Sequence, residues 1–276
     1  MKTPARLQTS PVRSLVGALL LVSTAVGLHA GQISSASYFN DFTSDADDFA
    51  TLKTWTLDTS GSGFFGHNDA GSATGAYVAS VEHTLLGGAA ASASDFIFES
   101  TVAYTASGVA SSSRLGVHFL AADSGFDPAT SYSFYLRGTA TGGFSVFLER
   151  AGVAVASGGG SNDELRDYFG ATLTFKVTAS YLDLVGGDGI NDALKIDATL
   201  SSSTRDSISL SFIDTDPLTG SHFSLLGKDD SNPQTFNAQW DSVSLAIIPE
   251  PSAVALLGGL VALIGVIVTR RQKRAA

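Results

Sequence analysis

Apolar and polar residues alternate with a period of two along most of the chain between residues 95 and 213. In 95–104 one face collects Phe96, Phe98, Val102 and Tyr104. In 114–120 it collects Leu115, Val117 and Phe119, against Arg114, Gly116 and His118. The stretches 131–137 and 143–149 repeat the pattern with Tyr132, Phe134 and Leu136, and with Phe144, Val146 and Leu148. The stretch 171–179 sets Leu173, Phe175, Val177 and Ala179 against Thr172, Thr174, Lys176 and Thr178. The segments 193–200 and 206–213 follow suit. Successive side chains of a strand point to opposite faces, so this period predicts strands with one apolar and one solvated side.

Gly, Ser, Asp and Asn crowd the connections, as tight turns require. Adding 38–42, 54–58, 77–82 and 236–247 brings the expectation to roughly a dozen short strands. One short helix is expected over 162–169, capped by Asn162 or Ser161. The last strand changes phase: Phe236, Ala238 and Trp240 share one parity, Val243, Leu245 and Ile247 the other. A β-bulge near Asp241 and Ser242 reconciles the two. The predicted fold is all-β, a two-sheet antiparallel sandwich of jelly-roll type.

The two ends follow a different pattern. Lys2, Arg6 and Arg13 precede an apolar run over 14–26, and small residues, Ala30 and Gly31, come after it. A basic start, a short apolar core and a small-residue exit describe a secretory signal peptide over 1–30. A helix of that run reaches about 20 Å, short of the ~30 Å hydrocarbon core. At the other end, Pro249-Glu250-Pro251 precedes an apolar run over 252–268, followed by Arg270, Arg271, Lys273 and Arg274. The run is just long enough to span, and the basic cluster places its end in the cytoplasm. The prolines push their neighbours towards extended backbone, so the motif reads as an accessible peptide beside the bilayer. The expected organisation is a signal peptide over 1–30, a sandwich over 31–247 and a membrane tail over 248–274.

Pro-Glu-Pro, a short apolar helix and an arginine-rich end, in that order, resemble the PEP-CTERM sorting signal, although Ile248 stands where Val is commoner. The resemblance implies recognition by an exosortase, a transpeptidase-like membrane enzyme, with processing near Pro249, Glu250 and Pro251. It also implies delivery to the surface, or release, in Gram-negative bacteria that make exopolysaccharide. In the domain itself, Tyr38-Phe39-Asn40-Asp41-Phe42 and the closing Trp240-Asp241-Ser242-Val243-Ser244-Leu245 resemble the terminal strands of concanavalin-like, laminin-G-like sandwiches. In those folds the first and last strands lie together.

Charge narrows the partners. The region 31–248 holds nine basic residues against 25 acidic ones, a formal charge of −16. Such a domain repels nucleic acid and anionic membrane surfaces. The chain has no cysteine, which excludes disulfides and thiol chemistry. His67, His83, His118 and His222 fall in no zinc-helix spacing, and neither a nucleophile elbow nor a phosphate loop is present. The region has four glutamates, Glu82, Glu99, Glu149 and Glu164, none of them neighbours as a glycosidase pair on one strand would be. No catalytic residue is assigned, and the chain is not expected to be an enzyme. Asp183, Asp188, Asn191 and Asp192 surround two glycine turns and are candidate calcium ligands. The same residues equally suit a hairpin turn, so no cofactor is assigned. Trp55, Phe64, Phe65 and Trp240 are candidates for stacking on sugar, against the core role usual for such rings.

These readings give an exported surface or exopolysaccharide-matrix protein with a structural, adhesive or glycan-binding sandwich. Its expected partners are an exosortase, the membrane and a glycan, with no nucleic acid. A carbohydrate-active enzyme and a calcium-dependent module are the alternatives.

Overall fold

The computed structural model describes residues 36–46, 49–52, 55–60, 63–69, 75–83, 86, 94–106, 114–125, 127–138, 144–159, 171–185, 187, 191–229 and 236–248. The expected signal peptide, the helix over 162–169 and the tail beyond Ile248 lie outside them.

Among the described residues fifteen strands form, running β1 (Ser37–Asn40), β2 (Ala50–Leu52), β3 (Thr56–Asp58), β4 (Phe64–Asp69), β5 (Gly75–Glu82), β6 (Asp95–Ala106), β7 (Arg114–Ala121) and β8 (Tyr132–Gly138). Then come β9 (Phe144–Arg150), β10 (Val153–Gly159), β11 (Thr172–Leu182), β12 (Ala193–Ser202), β13 (Ile208–Asp214), β14 (His222–Asp229) and β15 (Phe236–Ile248). They build two antiparallel sheets. One has eight strands, in the order β13-β12-β11-β6-β15-β4-β3, with β1 also on β15. The other has seven, in the order β10-β9-β8-β7-β14-β5-β2.

The predicted apolar faces meet between the sheets. Phe96, Phe98, Phe175, Val177 and Ile196 of the first sheet and Val117, Phe119, Phe134, Leu148 and Phe223 of the second are fully enclosed. Rings bridge the layers: Phe98 and Phe223 lie 4.9 Å apart, and Phe134 meets Phe175 edge-on at 5.7 Å. Each such side chain contributes about 1.5–3 kcal/mol by leaving water. One edge is also tied by polar groups. The Tyr132 phenol of β8 donates to Asp214 at the end of β13, and Arg150 of β9 donates to the same carboxylate.

The last strand behaves as its phase change predicts. The register of β15 on β6 shifts between Trp240 and Ser242. Before the bulge β15 pairs with β4, and after it with β1, which aligns Tyr38 with Leu245. The first and last described strands are therefore neighbours. Trp240 and Phe65 are buried in the core, with Trp55 packed against it, so the burial of these rings overrides the sugar-stacking option for them.

The expectation of one wet face holds for the eight-stranded sheet, where Thr172 and Lys176 are exposed. It fails at the centre of the seven-stranded sheet. There every residue from Leu115 to Ala121 is buried, whichever face it serves.

Candidate functional site

The pleat sends Arg114, Gly116 and His118 of β7 away from the core, together with Ser133, Tyr135 and Arg137 of β8. Pairing in register then sorts the outer face of the seven-stranded sheet into rows. One row runs Glu149, Ser133, His118, Ser224 and Ser80 across β9, β8, β7, β14 and β5. All five residues are buried although they are polar. The next row is Phe147, Tyr135, Gly116, Leu226 and Val78. The third is Ser145, Arg137 and Arg114, with Lys228 at the opposing position on β14. Rows on one face are about 7 Å apart along the strands, and neighbouring strands about 4.8 Å apart.

Contacts within these rows fix the side chains. The Tyr135 phenol donates to Glu149, and Arg114 donates to the other oxygen of that carboxylate at 3.5 Å. The Arg114 guanidinium lies 4.8 Å from the centre of the Tyr135 ring, and Phe147 stacks on the same ring at 5.5 Å. Burial, then the bond to Glu149, raises the Tyr135 phenol above its ordinary pKa, so it stays a donor. Ser224 donates to Ser80 at 3.0 Å. Ser131 stands 3.5 Å from Nδ1 of His118. Burial and the nearby Arg114 charge push the His118 imidazole down to about 3, so the ring is neutral at ordinary pH.

Gly116 has a steric reason. A Cβ there would sit 2.2 Å from the Phe134 carbonyl oxygen and 2.5 Å from the Tyr135 Cα. Only glycine lets β7 approach β8 this closely beside the tyrosine.

Access is from the β8–β9 side, where Arg137, Ser145 and Phe147 are half-buried and the Arg114 side chain is 18% exposed. The glutamates do not form a close pair on this face. Glu149 on β9 and Glu82 on β5 are four strands apart, about 19 Å, whereas a glycosidase pair needs about 5–9.5 Å. Glu99 belongs to the other sheet and pairs with Lys176 at 3.4 Å. Glu164 lies outside the described residues.

The calcium candidates lie at the β11–β12 turn. Asp192 accepts the amides of Leu184 at 2.8 Å and Val185 at 2.7 Å, one on each carboxylate oxygen. It thereby closes the loop as a capping residue does. Asp183 and Asn191 are half-buried in the same loop, and Asp188 lies outside the described residues. Among the described residues no three His, Asp or Glu side chains are grouped to hold a metal ion. Pro249, Glu250, Pro251, Arg270, Arg271, Lys273 and Arg274 also lie outside them.

Sequence reasoning placed His118 on a sheet face but did not reach Arg114, Tyr135, Arg137 or Phe147 as a group. Their signal is the cross-strand register, which no single segment carries.

The chain matches no protein-family model and no curated protein sequence. Solved structures share its architecture. The seed lectin of Lotus tetragonolobus aligns with a TM-score of 0.53 and 9% identity, over 78% of this chain and 100% of that one. The winged bean acidic lectin, solved with methyl-α-D-galactose, aligns with a TM-score of 0.51 and 9% identity, over 77% and 100%. A Shewanella oneidensis protein of unknown function is alike over 89% of this chain and 96% of that one, with 13% identity and a TM-score of 0.46. At such identities the likeness is one of fold, and the chain is an all-β two-sheet antiparallel sandwich resembling the concanavalin-like legume lectins.

Proposed function

We propose that the chain is an exported surface or exopolysaccharide-matrix protein whose sandwich binds glycan, without catalysis, on the outer face of the seven-stranded sheet. The observation that carries the binding part is the juxtaposition of rows there. A sugar presents hydroxyls beside C–H faces, and the accessible end of this face sets the half-buried Arg137 and Ser145 one row from the half-buried Phe147 ring, which the buried Tyr135 ring backs. The likeness to lectins supports the same reading at the level of fold, and the separation of the glutamates on this face favours binding over hydrolysis.

Full-length protein in detergent micelles, applied to a glycan array, is expected to retain at least one polysaccharide class. Phe147→Ala should weaken that retention while leaving the melting temperature within a few degrees, since Phe147 is only half-buried. No retention on any glycan would remove the binding reading.

Export and sorting rest on the ends of the sequence. The tail is proposed to be processed by an exosortase at Pro249-Glu250-Pro251 after the apolar run halts in the inner membrane. Replacing the three residues by alanine should leave full-length protein in the inner membrane fraction. Normal surface delivery of that variant would defeat the sorting assignment.

A further inference from the structure

On this glycan-binding reading, we infer that the ligand is an acidic polysaccharide, its carboxylate or sulfate groups lying along Arg137 and Arg114. Three of the nine basic residues of the 31–248 region take neighbouring places in one row across β8, β7 and β14. Arg137 stands directly opposite Arg114. Like charges at such a position disfavour the pairing of two strands. The chain is rich in acidic residues, any of which at 137 would have made a favourable pair instead. A local rule broken without a folding benefit marks a place kept for a ligand.

The partners of the two arginines sharpen the point. Arg114 is held by Glu149 and the Tyr135 ring, so its guanidinium is fixed in place. Arg137 is half-buried and makes no ion pair with the described residues. A fixed and an unpaired guanidinium side by side present two planar forks, the geometry that carboxylate and sulfate oxygens fit. Strands are spaced about 4.8 Å apart, close to the length of one sugar along a polysaccharide, so acid groups on successive units match successive strands. Beside the basic row the half-buried Phe147 ring is left for a sugar face, backed by the buried Tyr135 ring.

The acidity of the rest of the domain does not cancel this. Charges beyond about 8 Å are largely screened at physiological salt. The Glu149 carboxylate beside Arg114 is engaged by Arg114 and Tyr135. A polysaccharide with one charge per sugar also suits a pair of arginines better than a nucleic acid with its dense phosphates.

The test is titration of the full-length protein in micelles with polygalacturonate, dextran sulfate and uncharged dextran. At least one acidic polymer should bind, more weakly as salt rises, and dextran should not. The ratio between the two acidic polymers tells carboxylate from sulfate. Arg137→Glu replaces a like-charged cross-strand pair by an attractive one, so the fold should hold or gain in melting temperature while acidic-polymer binding falls about tenfold or more. Arg137→Lys should keep most of it. Equal binding of dextran, or unchanged binding by Arg137→Glu, would overturn the acidic ligand and leave glycan binding standing. Binding of no polymer at all would overturn both.

Discussion

His118 shows what one residue costs this sheet. Its imidazole would take a proton near 6.5 in an unfolded chain, but in the fold it resists protonation down to about 3. Between those values the unfolded state binds the extra proton, so stability is complete above 6.5 and is lost as pH falls towards 3. His83, also lowered by burial, adds to the same trend. The depressed carboxyls of Asp41, Asp58 and Asp197 act only at lower pH, beneath the ordinary carboxylate range. The melting temperature should therefore drop from pH 7 to pH 5, and His118→Gln should flatten that slope. Parallel curves for the two proteins would show that His118 is not the group responsible. The sequence placed this ring on a face. It could not disclose that the ring is buried, because its neighbours in the row, Ser133 and Ser224, come from β8 and β14.

At the scale of elements, the β9–β10 hairpin carries a misfit that can be repaired. Val153 pairs with Arg150, which leaves a two-residue loop in which Ala151 has φ 51° and Gly152 φ 76°. Glycine suits that region and alanine does not, by about 1–2 kcal/mol. Ala151→Asn should accordingly raise stability by about 1 kcal/mol, read from the denaturant midpoint, because asparagine tolerates the left-handed region. A lower midpoint would mean that the side chain is constrained in some other way. Strands were legible where one face is wet: all of 193–200 and, but for Ala171, all of 171–179 fall within β12 and β11. Legibility failed at β14, where Phe223, Leu225 and Leu226 are all fully buried and no period of two survives. It failed also at β10, whose small residues Ala154, Ala156 and Ser157 carry little apolar signal, and at the short β2. The bulge in β15 was readable because a phase shift is a property of one segment. The row of Arg137, Arg114 and Lys228 was not, because register between distant strands is decided by the packing of both.

For the molecule as a whole, the placement of the last described strand governs assembly. Residues 236–248 lie inside the eight-stranded sheet, hydrogen-bonded to β6 on one side and to β4 and β1 on the other. The strand that fills this slot is synthesised after every one of its partners. Until it is, the edges of β6, β4 and β1 stay open and Phe98 and Val102 lack part of their cover, a state prone to clumping. Synthesis and folding are thus coupled by chain order: a polypeptide stalled on the ribosome before residue 236 should remain protease-sensitive, and one extended past 248 and released should become resistant. Resistance in the stalled chain would mean that the sandwich closes without its seam.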